Sequence, residues 1–175
     1  GERVLLQGLG AIGKLVKTRL EAFDMKVVPV RRSGADGALK PDEWRGKLGE
    51  FDWVVLAVPS TPETHHMIGA GELAAMKANA VLVNIARGDV VDQAALVEAL
   101  EKNSIEAALL DVTDPEPLPE DHPLWDLENA QVTMHLSGRA QTKMFQRSAD
   151  RFIDNLERWQ RGEPVQPQMD LGLGY

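Results

Sequence analysis

The sequence predicts an α/β fold, a doubly wound parallel sheet in three layers, followed by a long C-terminal helix. Short β-branched runs alternate with helical patterns, which is the sequence form of repeated βαβ units. Several of those runs are apolar almost throughout, as strands are when helices cover both faces of a sheet and neither side meets water. A glycine-rich turn sits directly after the first of them. The chain has 175 residues with 43% apolar content, enough to bury the core of one domain.

Six strands are expected, at Val4 to Gln7, Lys26 to Arg31, Trp53 to Val58, Ala80 to Asn84, Ile105 to Asp111 and Gln131 to Met134. Between them, Ile12 to Phe23 and Gln93 to Lys102 carry apolar residues at helical spacing, the second opening with Asp92 as N-cap. A shorter helix is expected over Gly71 to Lys77. Two stretches read as loops, Ser33 to Leu39 and the proline-rich Thr113 to Leu124. Near the end, Phe145, Ala149, Phe152, Ile153, Leu156 and Trp159 form an apolar stripe at helical spacing, so a helix is expected over Arg139 to Arg161. The domain organisation that follows is a dinucleotide-binding domain over residues 1–138, the helix over 139–161 packing on that domain or on a partner, and an extended tail over 162–175.

Bulk chemistry removes whole classes of function. Twenty-seven acidic residues against nineteen basic ones give a formal charge of −8, which repels a phosphate backbone, so nucleic acid is not an expected partner. The absence of cysteine excludes disulfides and thiolate metal sites and fits a reducing cytoplasm, the expected compartment. No apolar run approaches the roughly 20 residues that span a bilayer, and Gly1-Glu2-Arg3 lacks the apolar stretch of a signal peptide. No membrane partner is expected.

The first chemical signal is Gly8-Leu9-Gly10-Ala11-Ile12-Gly13, between a strand and a helix. Gly8 permits the tight turn, Gly10 lets the backbone approach a pyrophosphate, and Gly13 allows close helix-to-strand packing. The helix N-terminus adds free amide N–H groups around Ala11 and Ile12 and the positive end of its dipole. This is the Rossmann dinucleotide fingerprint; an ordinary glycine-rich turn and a methyl-donor nucleotide site are the alternatives. The second strand of such a fold commonly ends in an acidic residue that accepts from the adenosine ribose hydroxyls. Here it ends in Arg31-Arg32-Ser33. Two guanidinium groups and a hydroxyl suit a 2'-phosphate that a carboxylate would repel, so NADP(H) is the expected cofactor and NAD(H) the second choice. A solvated basic pair at a strand end is the alternative.

The strings VPSTPETHHMI from Val58, LVNIARG from Leu82 and VVDQAALVEAL from Val90 follow. Beyond them come Leu110-Asp111-Val112, Pro115-Glu116-Pro117-Leu118-Pro119, His122-Pro123-Leu124-Trp125 and His135-Leu136-Ser137-Gly138. In this order the set resembles the D-2-hydroxyacid dehydrogenase family over almost the whole chain, and most of all the glyoxylate and hydroxypyruvate reductase group. The resemblance implies oxidoreduction of small 2-hydroxy and 2-keto acids by hydride transfer. It also implies a catalytic trio, Arg87, Glu116 and His135. Each fits the chemistry: Arg87 can grip a substrate carboxylate and polarise the keto oxygen. His135 can give or take the proton, and a carboxylate from Glu116 would favour its imidazolium and hold its orientation.

Further cofactor contacts implied in the same way are Val58, Pro59, Ser60, Ile85, Ala86, Asp111, Ser137 and Gly138, most of them at carboxyl ends of strands, where open parallel sheets bind ligands. Asp111 could equally be a plain strand terminator. His65 and His66 read as exposed or capping residues and His122 as structural, with no third partner for a metal and no metal expected. Two departures from the family pattern bear on the trio: Met134 stands where proline is common, and Thr113 where an aromatic residue is usual.

The family's substrate domain is built mainly from sequence preceding the glycine motif and is expected to be absent from this chain. Three readings therefore stand side by side: a reductase whose full form includes that domain, a nucleotide-binding module without turnover of its own, and an interaction protein like the dehydrogenase-like co-repressors. A homodimer or the missing substrate domain would cover the C-terminal stripe.

Overall fold

The computed structural model describes residues 1–34, 37–138, 143–168 and 172, in two compact units, Gly1–His135 and Leu136–Tyr175. The first unit holds one sheet of six parallel strands: β1 Arg3–Gln7, β2 Lys26–Val30, β3 Trp53–Leu56, β4 Val81–Asn84, β5 Ala107–Leu110 and β6 Ala130–Val132. Their order is β2-β1-β3-β4-β5-β6. A one-residue parallel bridge from Leu39 to Val30 extends the sheet a step beyond β2. Counted as a strand, Leu39 turns the order into that of the dinucleotide-binding fold. All six expected strands are present, and four of them, β2, β3, β5 and β6, end one or two residues sooner than the apolar runs do. Arg31, Ala57, Val58, Asp111, Thr133 and Met134 lie past the strand ends at the carboxyl edge, where the backbone N–H groups of Ala57, Asp111 and Thr133 still bond to the neighbouring strand.

Among the described residues three α-helices accompany the sheet, α1 Ala11–Glu21, α2 Ala70–Ala75 and α3 Gln93–Glu101. Asp92 caps α3 as expected, its Oδ1 accepting the Ala95 N–H at 3.1 Å. Leu5 pairs in register with Val54, Val54 with Leu82, and Leu82 with Ala108. Their side chains share one core with Leu73 of α2 and with Leu96 and Leu100 of α3. Between β2 and β3 the chain forms a 3-10 turn, Arg45–Glu50, for which the sequence gives no periodic signal. Trp44, Leu48 and Phe51 around it are each 1% exposed and complete this core. Burying such a side chain contributes roughly 1.5–3 kcal/mol, so this irregular segment matters to the fold as much as a helix would.

On the opposite face Val4, Leu6, Leu9 and Val55 pack with Val16 and Leu20 of α1. Coverage there is uneven. Val81, Val83, Ala107 and Leu109, which face the α1 side of β4 and β5, are only half-buried, so the expectation of strands covered on both faces holds at β1 and β3 and only in part further along.

The second unit contains α4, Met144–Gln160; residues 139–142 of the expected helix lie outside the described residues. None of its residues is buried, and Phe145, Phe152, Ile153, Leu156 and Trp159 are exposed. Gly162, at φ +72°, stops it. The tail then turns back, because Asn155 donates to the Gln166 carbonyl at 2.9 Å and accepts the Gln166 N–H at 2.8 Å. Among the described residues no helix is long and apolar enough to cross a membrane.

Candidate active site

The carboxyl edge of the sheet collects the residues with chemistry. Gly8 turns the chain out of β1 at φ +97°, and a Cβ there would lie 2.5 Å from the Ala57 carbonyl oxygen; only glycine lets β1 and the segment after β3 come so close. A Cβ on Gly13 would lie 2.0 Å from the Gly8 carbonyl oxygen, whereas one on Gly10 would meet nothing within 4 Å. The first and last glycines are thus demanded by the protein's own packing, and the middle one faces open space. Gly10 is also the N-cap of α1 and supplies no side-chain cap, and the first turn holds no acidic residue. The amide groups of Ala11 and Ile12 have no side-chain partner at this cap, and the positive end of the dipole is uncompensated, which is what a pyrophosphate needs. The residues present fit a dinucleotide.

Arg31 lies one residue past β2, its N–H donating to the Leu39 carbonyl at 2.9 Å. Arg32 and Ser33 follow on the surface, and all three have interactions of their own. Ala35 and Asp36, in the expected loop, lie outside the described residues. Glu63, in the turn after β3, has its carboxyl held below the usual range, first by a hydrogen bond from Thr61, then by its own backbone N–H and, more weakly, by the Arg32 charge. The Arg32 charge is thus felt at the β3 turn.

After β3, Val58 and Pro59 are half-buried and Ser60 is exposed. Thr64 ties this turn together, its hydroxyl donating to the Pro59 carbonyl at 2.7 Å and accepting the Thr61 N–H at 2.8 Å. Ser60 donates to Asp89 Oδ2 at 2.5 Å, which fastens the β3 turn to the segment just past Arg87.

The β4 end is built around Asn84, whose side chain is buried. Its Oδ1 accepts the Ala86 N–H at 3.0 Å and its Nδ2 donates to the Arg87 carbonyl at 2.9 Å. Ile85 is half-buried and Ala86 buried, while Arg87 is exposed with extended backbone. One guanidinium N–H of Arg87 donates to the Ala86 carbonyl at 2.6 Å, leaving the rest of its fork for a carboxylate. Gly88 follows because a Cβ there would lie 2.0 Å from the Thr113 carbonyl oxygen. The backbone that carries Arg87 is thereby pressed against the backbone that leads to Glu116.

Asp111, just past β5, is buried. Its Oδ1 accepts the Thr133 hydroxyl at 2.6 Å, and its backbone carbonyl accepts the His135 N–H at 2.8 Å. His135 itself stands at φ +53°, a conformation that side chains other than glycine rarely adopt. Its Nδ1 lies 2.8 Å from Glu116 Oε1, both side chains remaining accessible at 44% and 41%. The two departures noted above leave this pair closed: Met134 projects into solvent, and Thr113 is buried with its hydroxyl donating to the Pro115 carbonyl at 2.9 Å. Ser137 and Gly138 belong to the second unit. His65 and His66 stack on each other with ring centroids 4.0 Å apart, and among the described residues no His, Asp and Glu group could hold a metal ion.

Four residues escaped the sequence reading: Asn84, Asp89, Gln93 and Thr133. A polar residue closing the otherwise apolar β4 was a usable signal for Asn84; the others act through contacts between segments distant in sequence.

Residues 1–137 match the family model described as "D-isomer specific 2-hydroxyacid dehydrogenase, NAD binding domain". A glyoxylate reductase of Korarchaeum cryptofilum is 39% identical over 168 residues, covering 93% of this chain and 50% of that protein. Among solved structures, a D-isomer specific 2-hydroxyacid dehydrogenase of Xanthobacter autotrophicus Py2 in complex with NADPH and MES superposes with a TM-score of 0.91 at 36% identity, over 99% of this chain and 73% of that one. An NADPH-dependent glyoxylate/hydroxypyruvate reductase of Sinorhizobium meliloti in complex with NADP and sulfate reaches 0.90 at 26% identity, over 99% and 57%. The chain spans about half the length of the curated relatives it matches, 58% and 50% for two of them.

Proposed function

The chain belongs to the D-isomer specific 2-hydroxyacid dehydrogenase family, of which it carries the NAD-binding domain, and from that premise we propose that it serves the NADP(H)-dependent interconversion of a small 2-keto acid and its 2-hydroxy acid. One observation carries the reaction: His135 and Glu116 form a hydrogen-bonded pair at the carboxyl edge of the sheet, and the segment that leads to Glu116 abuts the Arg87 turn at Gly88.

Gly8, Gly10 and Gly13 with the N-terminus of α1 would hold the pyrophosphate, and Arg31, Arg32 and Ser33 a 2'-phosphate. Val58, Pro59, Ser60, Ile85, Ala86 and Asp111 would line the rest of the dinucleotide, and Ser137 and Gly138 are assigned to it by resemblance alone. When bound, the nicotinamide supplies or accepts the hydride. Arg87 binds the substrate carboxylate with its free guanidinium N–H groups and draws charge from the keto oxygen, which fixes the carbonyl carbon for attack. His135 then transfers the proton that the developing alkoxide requires. With Nδ1 facing Glu116, Nε2 is the nitrogen that exchanges its proton with the substrate oxygen, and in the oxidative direction the same nitrogen takes that proton back. Glu116 stabilises the charged ring and keeps it from rotating.

Substrate side-chain recognition and exclusion of water are assigned to a second domain such as the relatives' additional length would provide. The similarity to a glyoxylate reductase and a glycerate dehydrogenase favours two- and three-carbon acids. Mixing the chain with NADPH and either glyoxylate or hydroxypyruvate tests this. Oxidation of NADPH that depends on the keto acid supports the reductase. Nucleotide binding without oxidation would limit the chain to a binding module.

A further inference from the structure

Gln93 is the first residue of α3, and its place is fixed because the preceding Asp92 caps that helix. From there its carboxamide reaches both backbone polar groups of Asp114: Nε2 donates to the Asp114 carbonyl at 2.8 Å, and Oε1 accepts the Asp114 N–H at 3.0 Å. The same Nε2 lies 3.1 Å from His122 Nε2, and His122 Nδ1 accepts the Leu124 N–H at 3.2 Å. Asp114 is two residues before Glu116. The segment from Thr113 to Pro119 has no helix or strand of its own, so its conformation depends on such contacts. Gln93 fastens it to α3, the Thr113 hydroxyl closes it through the Pro115 carbonyl, and the Thr113 backbone abuts Gly88.

A primary amide suits this task because it carries a donor and an acceptor in one plane, as a peptide group does. A carboxylate in its place could still accept the Asp114 N–H but would face the Asp114 carbonyl with no proton to give, and an alanine would leave both groups without the clamp.

We infer that Gln93 is a positioning residue for proton transfer: by clamping Asp114 it holds Glu116 opposite His135 Nδ1 and so determines which ring nitrogen of His135 keeps its proton. The inference rests on the reading of Glu116 and His135 as the proton-transfer pair. A carboxylate opposite Nδ1 selects the Nδ1–H tautomer of the neutral ring, whereas a free histidine side chain prefers Nε2–H, and only the first leaves Nε2 ready to receive a proton from substrate.

The test is the tautomer of His135, read from long-range ¹H–¹⁵N correlations of the ¹⁵N-labelled full chain at alkaline pH. This measurement needs neither nucleotide nor turnover. The native chain should show the Nδ1–H form. Gln93→Ala should lose most of it in favour of Nε2–H, with Gln93→Glu, which retains one of the two bonds, falling between them. A folded Gln93→Ala chain with the native tautomer population overturns the inference; if that variant does not fold, an unchanged tautomer in Gln93→Glu does so. Glu116→Ala separates the two levels. A tautomer that ignores Glu116 sinks the pair itself, while one that follows Glu116 and ignores Gln93 sinks only the role of Gln93.

Discussion

His135 Nδ1 and Glu116 Oε1 stand 2.8 Å apart although 19 residues separate them in sequence. The ring is carried just past β6 at φ +53° and is tethered through its N–H to the Asp111 carbonyl; the carboxylate comes from the proline-rich loop after β5. With His135 as the proton donor and no part of nucleotide binding assigned to it, His135→Ala should lower keto-acid reduction by about 100- to 10,000-fold, the usual contribution of a general acid, at nearly unchanged NADPH affinity. Steady-state rates together with a nucleotide titration check this. Retained turnover would mean that another group gives the proton.

Cofactor choice rests on the end of β2. Arg31→Asp removes a phosphate partner and restores a ribose acceptor, so the ratio of NADH to NADPH affinity should rise, each lost charge-assisted bond being worth roughly 1.5–3 kcal/mol. An unchanged ratio from paired titrations would show that these arginines are ordinary surface charges.

The glycines of the α1 turn separate folding from binding. Gly10→Ala places its methyl in open space, so the thermal midpoint should hardly move while nucleotide affinity falls. Gly13→Ala drives a methyl against the Gly8 carbonyl oxygen and should destabilise the fold by about 1–3 kcal/mol. Thermal unfolding and nucleotide titration of the two variants should therefore give opposite patterns.

At the amino edge of the sheet, Asp52 accepts the Arg3 N–H at 2.8 Å and the Lys77 ammonium at 2.7 Å, and its carboxyl is held below the usual 3.8, first by the Arg3 N–H and then by Lys77. A carboxyl lowered in the folded state contributes stability that is full above its unfolded pKa and is lost as pH falls through the folded one. Asp52→Asn should thus lower stability at neutral pH by up to about 1 kcal/mol, and the difference from the native chain should shrink below pH ~4. Denaturant unfolding at pH 7 and pH 3 measures both.

Much of this was legible in the sequence, because β1 to β6 and α1 announce themselves by apolar runs and the glycine turn, both of which are local. The carboxyl ends of strands were misjudged for a physical reason: Val58 and Met134 continue the apolar run, yet their backbones turn away to shape the site edge. Trp44, Leu48 and Phe51 form a core segment without periodicity, so no pattern revealed it. Arg87, Glu116 and His135 were found through motifs, whereas the residues that hold their loops, Asn84 and Gln93, act by side-chain bonds to backbone, one of them 21 residues away. Such bonds depend on tertiary proximity and leave no periodic trace.

The central claim is a dinucleotide site that favours the phosphorylated cofactor, and titration of this chain with NADPH and NADH in parallel tests it most directly. Saturable binding of NADPH, tighter than that of NADH and weakened by added salt as charge-assisted contacts are, is the predicted result. Failure to bind either nucleotide would contradict the account at its base.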